Sequence, residues 1–441
     1  MEAAAPAHTA ARARPFTFVL ASSLALAGLS LLLPSTPSYD PWAWLIWGRE
    51  LAGGGLETSA GPAWKPLPVL VTTLLAPLEE APELWLLLAR AAGVAAVLLV
   101  GLLAWRLSRG SLVAALVASG SLVLVSGFVR GVALGFSEGL LVALAAAAVL
   151  CHLEEQRRRA LVLGLLAALL RPEVWPFLLA YGVVLWRRGE ERPLLVAAAA
   201  VVPLAWFGPE LWGSGELLRS TERARIPNPG QPALSAVPAL EVLKRFVLMT
   251  PLVATVGVGL ALTGRAARPV ALGALAWVVL VAVMSQAGFS GEERYLLPAA
   301  AAAAVAAGIV WAERLRIPWL VVIAVLTLVT LPLVAREAVH LRRDLADDAA
   351  LRADLETAIA AAGGAERLRC GAVAAGRYRF PLVAWHLDVP MSAVDFSLYG
   401  RAGTVLRSRL RRGEPAAPGR PANALLTSRA GSWELWSTCD P

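Results

Sequence analysis

Long runs of apolar residues, separated by short polar turns, make up most of the chain. We place these runs at about 15–34, 85–106, 111–128, 139–152, 160–174, 176–187, 193–208, 246–263, 269–286, 295–312 and 317–335. A straight helix needs about 20 apolar residues to cross a bilayer, and several runs are shorter than that. The pattern predicts an all-α polytopic membrane protein with about eleven transmembrane helices.

The run at 160–187 is interrupted by Arg171-Pro172-Glu173. Proline cannot donate a backbone hydrogen bond and breaks a helix interior. The interruption therefore predicts either two spans or one long broken helix. Ionisable groups at membrane depth are costly and tend to face a cavity or each other. Arg171 and Glu173 are therefore candidates for a functional site, and a structural Arg–Glu pair is the alternative.

The arginines indicate how the helices cross the membrane. If the N-terminus with Arg12 and Arg14 is cytoplasmic, the arginine-rich turns are cytoplasmic as well. These turns lie at 106–109, 157–159, 187–192, 265–268 and 314–316. Cytoplasmic turns carry an excess of Lys and Arg, so the charges agree with this orientation. We expect a multi-pass protein of the plasma (inner) membrane with a cytoplasmic N-terminus and an extracytoplasmic C-terminus.

Three polar segments fall on the predicted outer face. Residues 35–84 contain an apolar stretch at 69–78 that is too short to span and suits a helix lying in the membrane interface. Residues 209–245 are rich in Pro, Gly and Arg, and they predict a mobile loop that orders on ligand binding. Residues 336–441 begin with an amphipathic helix and continue with short apolar runs. They predict a small extracytoplasmic α/β or α+β domain after a membrane domain at 1–335.

Composition supports the membrane prediction and narrows the partners. The 441 residues are 58% hydrophobic and 16% charged, with a mean hydropathy of +0.64. Soluble domains contain about 25% charged residues. The net charge of +8 lies mainly in short turns, so it reflects topology and does not favour nucleic acid as a partner. No small-residue cleavage site follows the first apolar run, so we expect that run to be retained as a helix.

The three cysteines divide into one isolated residue and one candidate pair. Cys151 ends an apolar run close to a cluster of arginines. Cys370 and Cys439 both lie in the predicted extracytoplasmic domain, where an oxidising environment allows a disulfide. We expect these two residues to pair, and two unpaired thiols are the alternative.

The first outer loop carries the strongest candidates for chemistry. Asp40 lies in YDPW, directly after the first predicted helix. A carboxylate there can deprotonate an acceptor hydroxyl or bind a divalent metal, and a helix N-cap followed by Pro41 is the alternative. Lys65 lies in WKPLP, where its ammonium can pair with a phosphate. A lysine that extends to lipid headgroups is the alternative.

Two later motifs add charged groups on the same predicted face. Glu138 in GFSEGLL opens an apolar run and is a second carboxylate for an acceptor or a metal, although an acid is also favoured at a helix N-terminus. Arg294 and Tyr295 in GEERYLLPA begin a late run. An arginine there suits bidentate binding of a phosphate, with the neighbouring glutamates as alternative partners. A tyrosine there is typical of an interface anchor.

Several well-known site patterns are missing from the sequence. No Cys/His cluster has zinc spacing, and the chain contains no P-loop and no Rossmann glycine pattern. A Gly-x-Ser-x-Gly nucleophile elbow is missing as well. These absences disfavour a cytoplasmic enzyme that uses a nucleotide.

Taken in order, the motifs resemble the type C glycosyltransferase superfamily. The nearest branch is the bacterial one similar to protein O-mannosyltransferases and the lipid A aminoarabinose transferase. Two features differ from that pattern: the second proline of the Lys-Pro-Pro-Leu motif is displaced, and the paired acid of the first loop is reduced to Asp40. The resemblance covers 15–335 and leaves 336–441 unmatched. The matching segments are Tyr39-Asp40-Pro41, Lys65-Pro66-Leu67-Pro68 with the following 86–110, Glu138, and Arg294 to Pro298.

The resemblance implies an inverting hexosyltransferase or pentosyltransferase of the bacterial cell envelope. The donor would be a sugar linked to polyprenyl phosphate, and the acceptor a glycan, lipid or protein at the outer membrane face. A divalent metal ion is left open as a cofactor. The implied residues are the base Asp40, the phosphate-binding Lys65, Arg294 and Tyr295, and Glu138 at a possible acceptor or metal site. Arg171 and Glu173, which the resemblance does not cover, remain candidates for the same acceptor or metal site because they interrupt an apolar run.

Two other classes of protein would use the same charged groups. A transporter or flippase would bind the headgroup of a lipid-linked sugar without chemistry, although the inverted hydropathy halves of many transporters are missing here. A non-catalytic scaffold would present the C-terminal domain outside the cell.

Overall fold

The computed structural model describes residues 6–314, 317–409 and 415–439. Arg316 and the side chains of Arg12 and Arg14, which enter the predicted orientation, lie outside the described part.

The chain is mostly helical, with a small sheet near the C-terminus. The α-helices are α1 (Pro6–Ser30), α2 (Tyr39–Ala52), α3 (Pro66–Leu75), α4 (Ala81–Leu107), α5 (Leu112–Val123), α6 (Phe128–Ala133), α7 (Glu138–Leu153), α8 (Arg157–Ala168), α9 (Trp175–Arg188), α10 (Arg192–Ser214), α11 (Arg219–Ala224), α12 (Pro238–Met249), α13 (Leu252–Ala261), α14 (Arg268–Gln286), α15 (Leu297–Glu313), α16 (Ile317–Ala361), α17 (Ala365–Leu368) and α18 (Phe380–His386). The strands are β1 (Ala372–Ala375), β2 (Val394–Asp395), β3 (Gly403–Ser408), β4 (Leu425–Ala430) and β5 (Trp433–Ser437).

Apolar helices confirm a polytopic membrane fold. In the described ranges, five helices are long and apolar enough to cross a membrane: α4, α10, α14, α16, and α15 with the turn before it. The pair α12–α13 is bent by 113° and adds a sixth if it is one broken span. Shorter apolar helices are the 16–30 part of α1, α3, α5 and α7. The total of eleven spans stays a prediction.

The chain forms two compact units. The first comprises Met1–Leu33, Leu86–Val202 and Ala224–Leu341, and the second comprises Pro34–Trp85, Pro203–Arg223 and Arg342–Pro441. The first outer loop and the C-terminal residues, which the sequence places in different domains, therefore belong to one unit. The physical reason is packing of α18 on α2, which no local pattern predicts.

Helix α15 forms the centre of the first unit and contacts α5, α13 and α14. Its small side chains allow neighbouring backbones to approach closely, which is how helices associate in lipid. A Cβ atom added at Gly257 of α13 would lie 2.4 Å from the Cβ of Ala307. The indole of Trp311 closes the same interface by donating a hydrogen bond to the carbonyl of Val253 at 2.9 Å.

The run at 160–187 forms two helices. Helix α8 ends at Ala168, a 3₁₀ turn covers Pro172–Val174, and α9 begins at Trp175. The indole of Trp175 donates to the carbonyl of Ala168 at 3.1 Å, which satisfies one backbone acceptor released by the break. The break therefore divides this run into two helices, and whether each helix is a separate span stays a prediction.

The second unit contains a mixed five-stranded sheet in the order β2-β1-β3-β5-β4. Strand β1 pairs parallel with β2 and β3, whereas β5 pairs antiparallel with β3 and β4. The C-terminal part of α16 packs on this sheet: the Trp433 indole donates to the carbonyl of Leu351 at 2.9 Å. A disulfide joins Cys370 to Cys439, which lie before β1 and after β5.

Helix α18 rests on α2 in the same unit. The rings of Tyr39 and Phe380 meet edge to face at 5.6 Å, and those of Trp42 and Trp385 also lie 5.6 Å apart. Arg49 donates to the Trp385 carbonyl at 3.2 Å and forms a salt bridge to Asp388 at 2.9 Å. The run PLVAWHL is one of the short apolar runs of the predicted C-terminal domain that indicated a few strands, and most of it forms helix α18 instead.

Two predicted outer segments differ from the expected pattern of helix and loop. The interfacial stretch at 69–78 begins earlier, as α3, because Pro66 and Pro68 lie in its first turn, where proline is tolerated. The segment 209–245, predicted as a loop, contains the end of α10, all of α11 and the start of α12. Motion of that segment stays a prediction.

We expect Gly257→Ala to destabilise the helix packing by about 1–3 kcal/mol, because the new methyl group overpacks against Ala307. Thermal unfolding in detergent measures the loss. Gly259→Ala is the matched control, since a Cβ there would meet nothing within 4 Å. It should leave the melting temperature unchanged or slightly raised. Equal behaviour of the two variants would contradict the close approach of α13 and α15.

Candidate functional site

Asp40 lies in the first turn of α2, whose N-cap is Ser38. Asp40 is therefore inside the helix, and the alternative in which it serves as the N-cap is wrong. An acid in this turn is favoured by the helix dipole. The residue is only 7% exposed, and Trp42, Ala43 and Trp44 are buried directly after it. Asp40 is thus a largely buried carboxylate, and the neighbouring Tyr39 interacts with it and with Arg223 and Arg219.

Lys65 occupies the N-cap position of α3 and is 8% exposed. Its Nζ lies 5.1 Å from the centroid of the Trp44 ring, within reach of a cation–π interaction. The rings of Trp44 and Trp85 lie 5.4 Å apart, as do those of Trp47 and Trp64. A lysine that extends to lipid headgroups would be exposed, so the structure does not support that alternative. Asp40 and Lys65 belong to the same unit.

Helix α2, which carries Asp40, contacts helix α3, which begins directly after Lys65. The Thr72 hydroxyl donates to the carbonyl of Trp44 at 2.6 Å. A Cβ atom added at Gly48 would lie 2.5 Å from that hydroxyl oxygen, so glycine is needed for the close approach of the helices. The helices that carry Asp40 and Lys65 therefore pack directly against each other.

Tyr39 immediately precedes Asp40 and is held as a neutral phenol. Burial raises the pKa of Tyr39 to about 12, although the positive charge of Arg223 opposes the rise. A phenol with this pKa stays protonated at physiological pH. Tyr39 can therefore donate a hydrogen bond beside Asp40 but cannot serve as a base.

Residues from the segment 203–223 contact the backbone just before Lys65, and the sequence did not mark them as site candidates. Arg219 is 7% exposed and donates hydrogen bonds to the carbonyls of Pro62 and Gly61 at 2.6 and 3.0 Å. Ser220 accepts from the backbone N–H of Trp64 at 2.6 Å. The charged residues of this segment cluster at its end, with Glu216, Arg219, Glu222 and Arg223 within eight positions, which was the available signal for a structured element.

The first unit brings together three of the charged residues predicted from separate motifs. Arg171 forms salt bridges to Glu138 and to Glu173, the latter at 3.3 Å from Nη1 to Oε1. Its guanidinium also lies 3.9 Å from the centroid of the Tyr295 ring. All three charged residues are buried. These salt bridges pair charges whose burial without a partner would be costly in an apolar helical bundle.

Arg294 lies beside this cluster. It forms a salt bridge to Glu292, and its guanidinium lies 4.8 Å from the centroid of the Phe136 ring and 5.7 Å from that of Tyr295. Glu292 is the kind of partner that the sequence left open as an alternative for Arg294. The Tyr295 ring thus lies against two arginines, Arg171 and Arg294.

The acidic residues of the first unit do not fit a divalent metal as they are arranged. Glu138 and Glu173 both bind Arg171, so a metal ion would have to displace an arginine from each carboxylate. Within the described part of the chain, no group of three or more His, Cys, Asp and Glu could hold a metal ion.

Comparison with known proteins identifies the fold. No family model and no curated protein matches the chain. Among solved structures, the chain is similar to ArnT from Cupriavidus metallidurans, solved bound to undecaprenyl phosphate. The two are 14% identical, the match covers 96% of this chain and 98% of that chain, and the TM-score is 0.57. The chain therefore shares the fold of ArnT, one of the proteins to which the sequence motifs were likened, and this agrees with the predicted resemblance at the level of the fold.

Arg171→Met should lower the stability of the first unit by about 3–5 kcal/mol, because it leaves two buried carboxylates without their partner. Thermal and denaturant unfolding in detergent measure the loss. The triple change Arg171→Met, Glu138→Gln and Glu173→Gln removes the charges together and should lose less. Equal losses for the single and triple variants would show that the salt bridges do not hold the cluster.

Glu50 of α2 predicts a pH dependence of the second unit. Its Oε2 accepts a hydrogen bond from the backbone N–H of Glu57 at 2.8 Å, and burial raises the pKa of Glu50 from 4.5 to about 7. The folded unit thus favours the protonated acid. The stability contributed by Glu50 is complete below pH 4.5 and is lost as the pH rises through about 7.

We expect Glu50→Gln to flatten this fall in stability, since glutamine cannot ionise. Melting temperatures measured from about pH 5 to about pH 8 report the slope. Glu79→Gln, at an exposed position of the same outer segment, should retain the wild-type slope. A slope that survives in Glu50→Gln would assign the pH dependence to another group.

Proposed function

We propose that the protein is a membrane glycosyltransferase that uses a sugar linked to polyprenyl phosphate. The observation that carries the proposal is the fold, which matches ArnT over 96% of this chain. ArnT was solved bound to undecaprenyl phosphate, so this fold accommodates a polyprenyl phosphate in at least one protein. The acceptor in this proposal is a glycan, lipid or protein of the bacterial cell envelope.

Asp40 is our proposed base. Its carboxylate would take the proton from the acceptor hydroxyl as the oxygen attacks the anomeric carbon of the sugar. The bond from that carbon to the phosphate oxygen breaks, and the configuration inverts. Its burial, in the same helix as the buried Trp42 and Trp44, supports this role because a low local dielectric strengthens interactions with charges that develop during the reaction.

Lys65 is our proposed ligand for the leaving phosphate. Polyprenyl phosphate departs already ionised, so it needs electrostatic stabilisation rather than a proton. A buried ammonium against the face of Trp44 supplies a fixed positive charge. We retain Arg294 and Tyr295 as further phosphate-binding residues on the strength of the motif resemblance.

The cluster of Glu138, Arg171 and Glu173 is our proposal for acceptor recognition. The Oε2 atom of Glu173 and the Nε atom of Arg171 are buried without a hydrogen-bond partner in the described structure. Such groups are costly unless a ligand or water satisfies them. The hydroxyl groups of an acceptor substrate could donate a hydrogen bond to Glu173 Oε2 and accept one from Arg171 Nε.

The orientation and the domain organisation remain part of the proposal. We propose about eleven spans, a cytoplasmic N-terminus and action on the outer membrane face. The disulfide between Cys370 and Cys439 supports an extracytoplasmic C-terminus, because disulfides persist in oxidising compartments. The segment 209–245 is proposed to close over the donor and exclude water.

Asp40→Asn tests the proposed chemistry. The purified protein in lipid receives radiolabelled polyprenyl-phosphate sugars, and the readout is release of polyprenyl phosphate. We expect turnover by the wild type and a loss of about 10²–10⁴-fold in Asp40→Asn, because the proton acceptor is removed. Glu79→Gln, an exposed acid of the same segment, should retain full turnover.

Two results would overturn this function. Full turnover by Asp40→Asn would remove the base assignment. Donor binding without turnover in every variant would favour a transporter of the lipid-linked sugar, for which the broken pair α12–α13 and the buried charges of the first unit would serve equally well.

A further inference from the structure

The residues just before Lys65 form a loop without regular secondary structure. We call residues 59–64 the pre-lysine loop. Gly61 within it has a φ of +99°, a left-handed conformation that side chains rarely adopt. Lys65 itself is extended, with φ −138° and ψ 110°. Helix α3 holds Lys65 from its C-terminal side. On the N-terminal side no helix or strand fixes the backbone, so the position of the Lys65 ammonium also depends on contacts that hold the pre-lysine loop.

Arg219 supplies the main contact. Its Nη1 donates to the Pro62 carbonyl at 2.6 Å, and its Nη2 donates to the carbonyls of Gly61 and Ser59 at 3.0 and 3.3 Å. One planar guanidinium thus holds three carbonyls of the pre-lysine loop in a fixed relation. The carboxylate of Glu210 lies 4.0 Å away and offsets part of the cost of the buried charge.

Ser220, the next residue, holds the other end of the same loop. Its hydroxyl oxygen accepts from the Trp64 backbone N–H at 2.6 Å and donates to Glu210 Oε1 at 2.7 Å. The Trp64 indole donates to the carbonyl of Ala205 at 3.0 Å. The residue that precedes Lys65 is therefore held at both its backbone and its side chain.

Helix α11 also contacts the segment that carries Asp40. The side chain of Arg223 forms a hydrogen bond to Tyr39, the residue before Asp40. One short helix thus contacts the chain immediately before each of the two residues proposed for chemistry. Neither Asp40 nor Lys65 reveals this connection in the sequence, because α11 lies more than 150 residues further along the chain.

We propose that Arg219 is a positioning residue that acts on the donor phosphate through Lys65, an inference that rests on the proposed function. The guanidinium acts through the pre-lysine loop, because both of its terminal nitrogens already donate to that loop. Its role is to keep the Lys65 ammonium over Trp44, where the charge of the leaving phosphate is stabilised. Loss of Arg219 frees the loop and moves the ammonium away from its place.

A double-mutant cycle tests the connection. Arg219→Met should lower kcat/KM for the donor by about 10-fold or more when Lys65 is present. In a Lys65→Ala background the same change should have an effect of less than about 2-fold, because the group it positions is gone. Effects that multiply independently in the two backgrounds would overturn the proposal, since they indicate general destabilisation or direct contact of Arg219 with the donor.

Hydrogen exchange provides a readout that does not depend on turnover. Peptides that cover 57–66 should exchange faster in Arg219→Met than in the wild type. Arg225→Met is the matched control: its guanidinium lies over the ring of Phe289, and it should leave those peptides unchanged. Unchanged exchange in Arg219→Met would overturn the proposed role.

The two experiments separate failure of the inference from failure of the function. A wild type without donor turnover would overturn the proposed function and, with it, the step from Lys65 to the donor. The exchange result would then still decide whether Arg219 holds the pre-lysine loop. A wild type that turns over donor, with additive effects in the cycle, would overturn the inference alone.

Discussion

Charged groups inside an apolar helical protein must find their partners within the chain, because hydrocarbon offers neither water nor counter-ions. Arg90 illustrates the constraint. It is buried in α4, and it donates to the carbonyl of Ser30 at 3.0 Å and to that of Ala133 at 2.8 Å. Arg171 meets the same requirement with two carboxylates. Arg219, which is buried in a segment predicted to lie outside the membrane, is satisfied by three carbonyls. Each of these arginines contacts groups at a helix end, in a short turn or in a loop, so these contacts also hold the irregular parts of the fold.

The two units accommodate their buried positive charges in different ways. In the first, two glutamates form salt bridges to Arg171, so an anionic ligand would have to compete with these carboxylates for the guanidinium. In the second, the Lys65 ammonium is buried and lies against the face of the Trp44 ring. Because Glu138 and Glu173 both form salt bridges to Arg171, a metal ion fits poorly between these two carboxylates.

Local patterns predicted much of the helical framework. The apolar runs at 85–106 and 269–286 correspond closely to α4 and α14, because a continuous apolar stretch has few alternatives to a membrane helix. The break near Pro172 was also predictable, since proline removes a backbone donor. The helical content of 209–245 was not, because its Pro and Gly residues favour turns wherever tertiary contacts do not override them. The same applies to α18, whose short apolar run is compatible with either a strand or a helix.

The sequence by itself determined the class of fold and most of the residues worth examining, because hydropathy and the positions of charges follow directly from the order of residues. Tertiary structure alone decided how those residues are used. It placed Glu138, Arg171 and Glu173 in one cluster, although 35 residues of chain separate the first from the last. It brought α11 to the loop before Lys65 and moved Asp40 from a cap into the first turn of α2. Contacts between distant residues depend on how helices pack, and no local pattern encodes that packing.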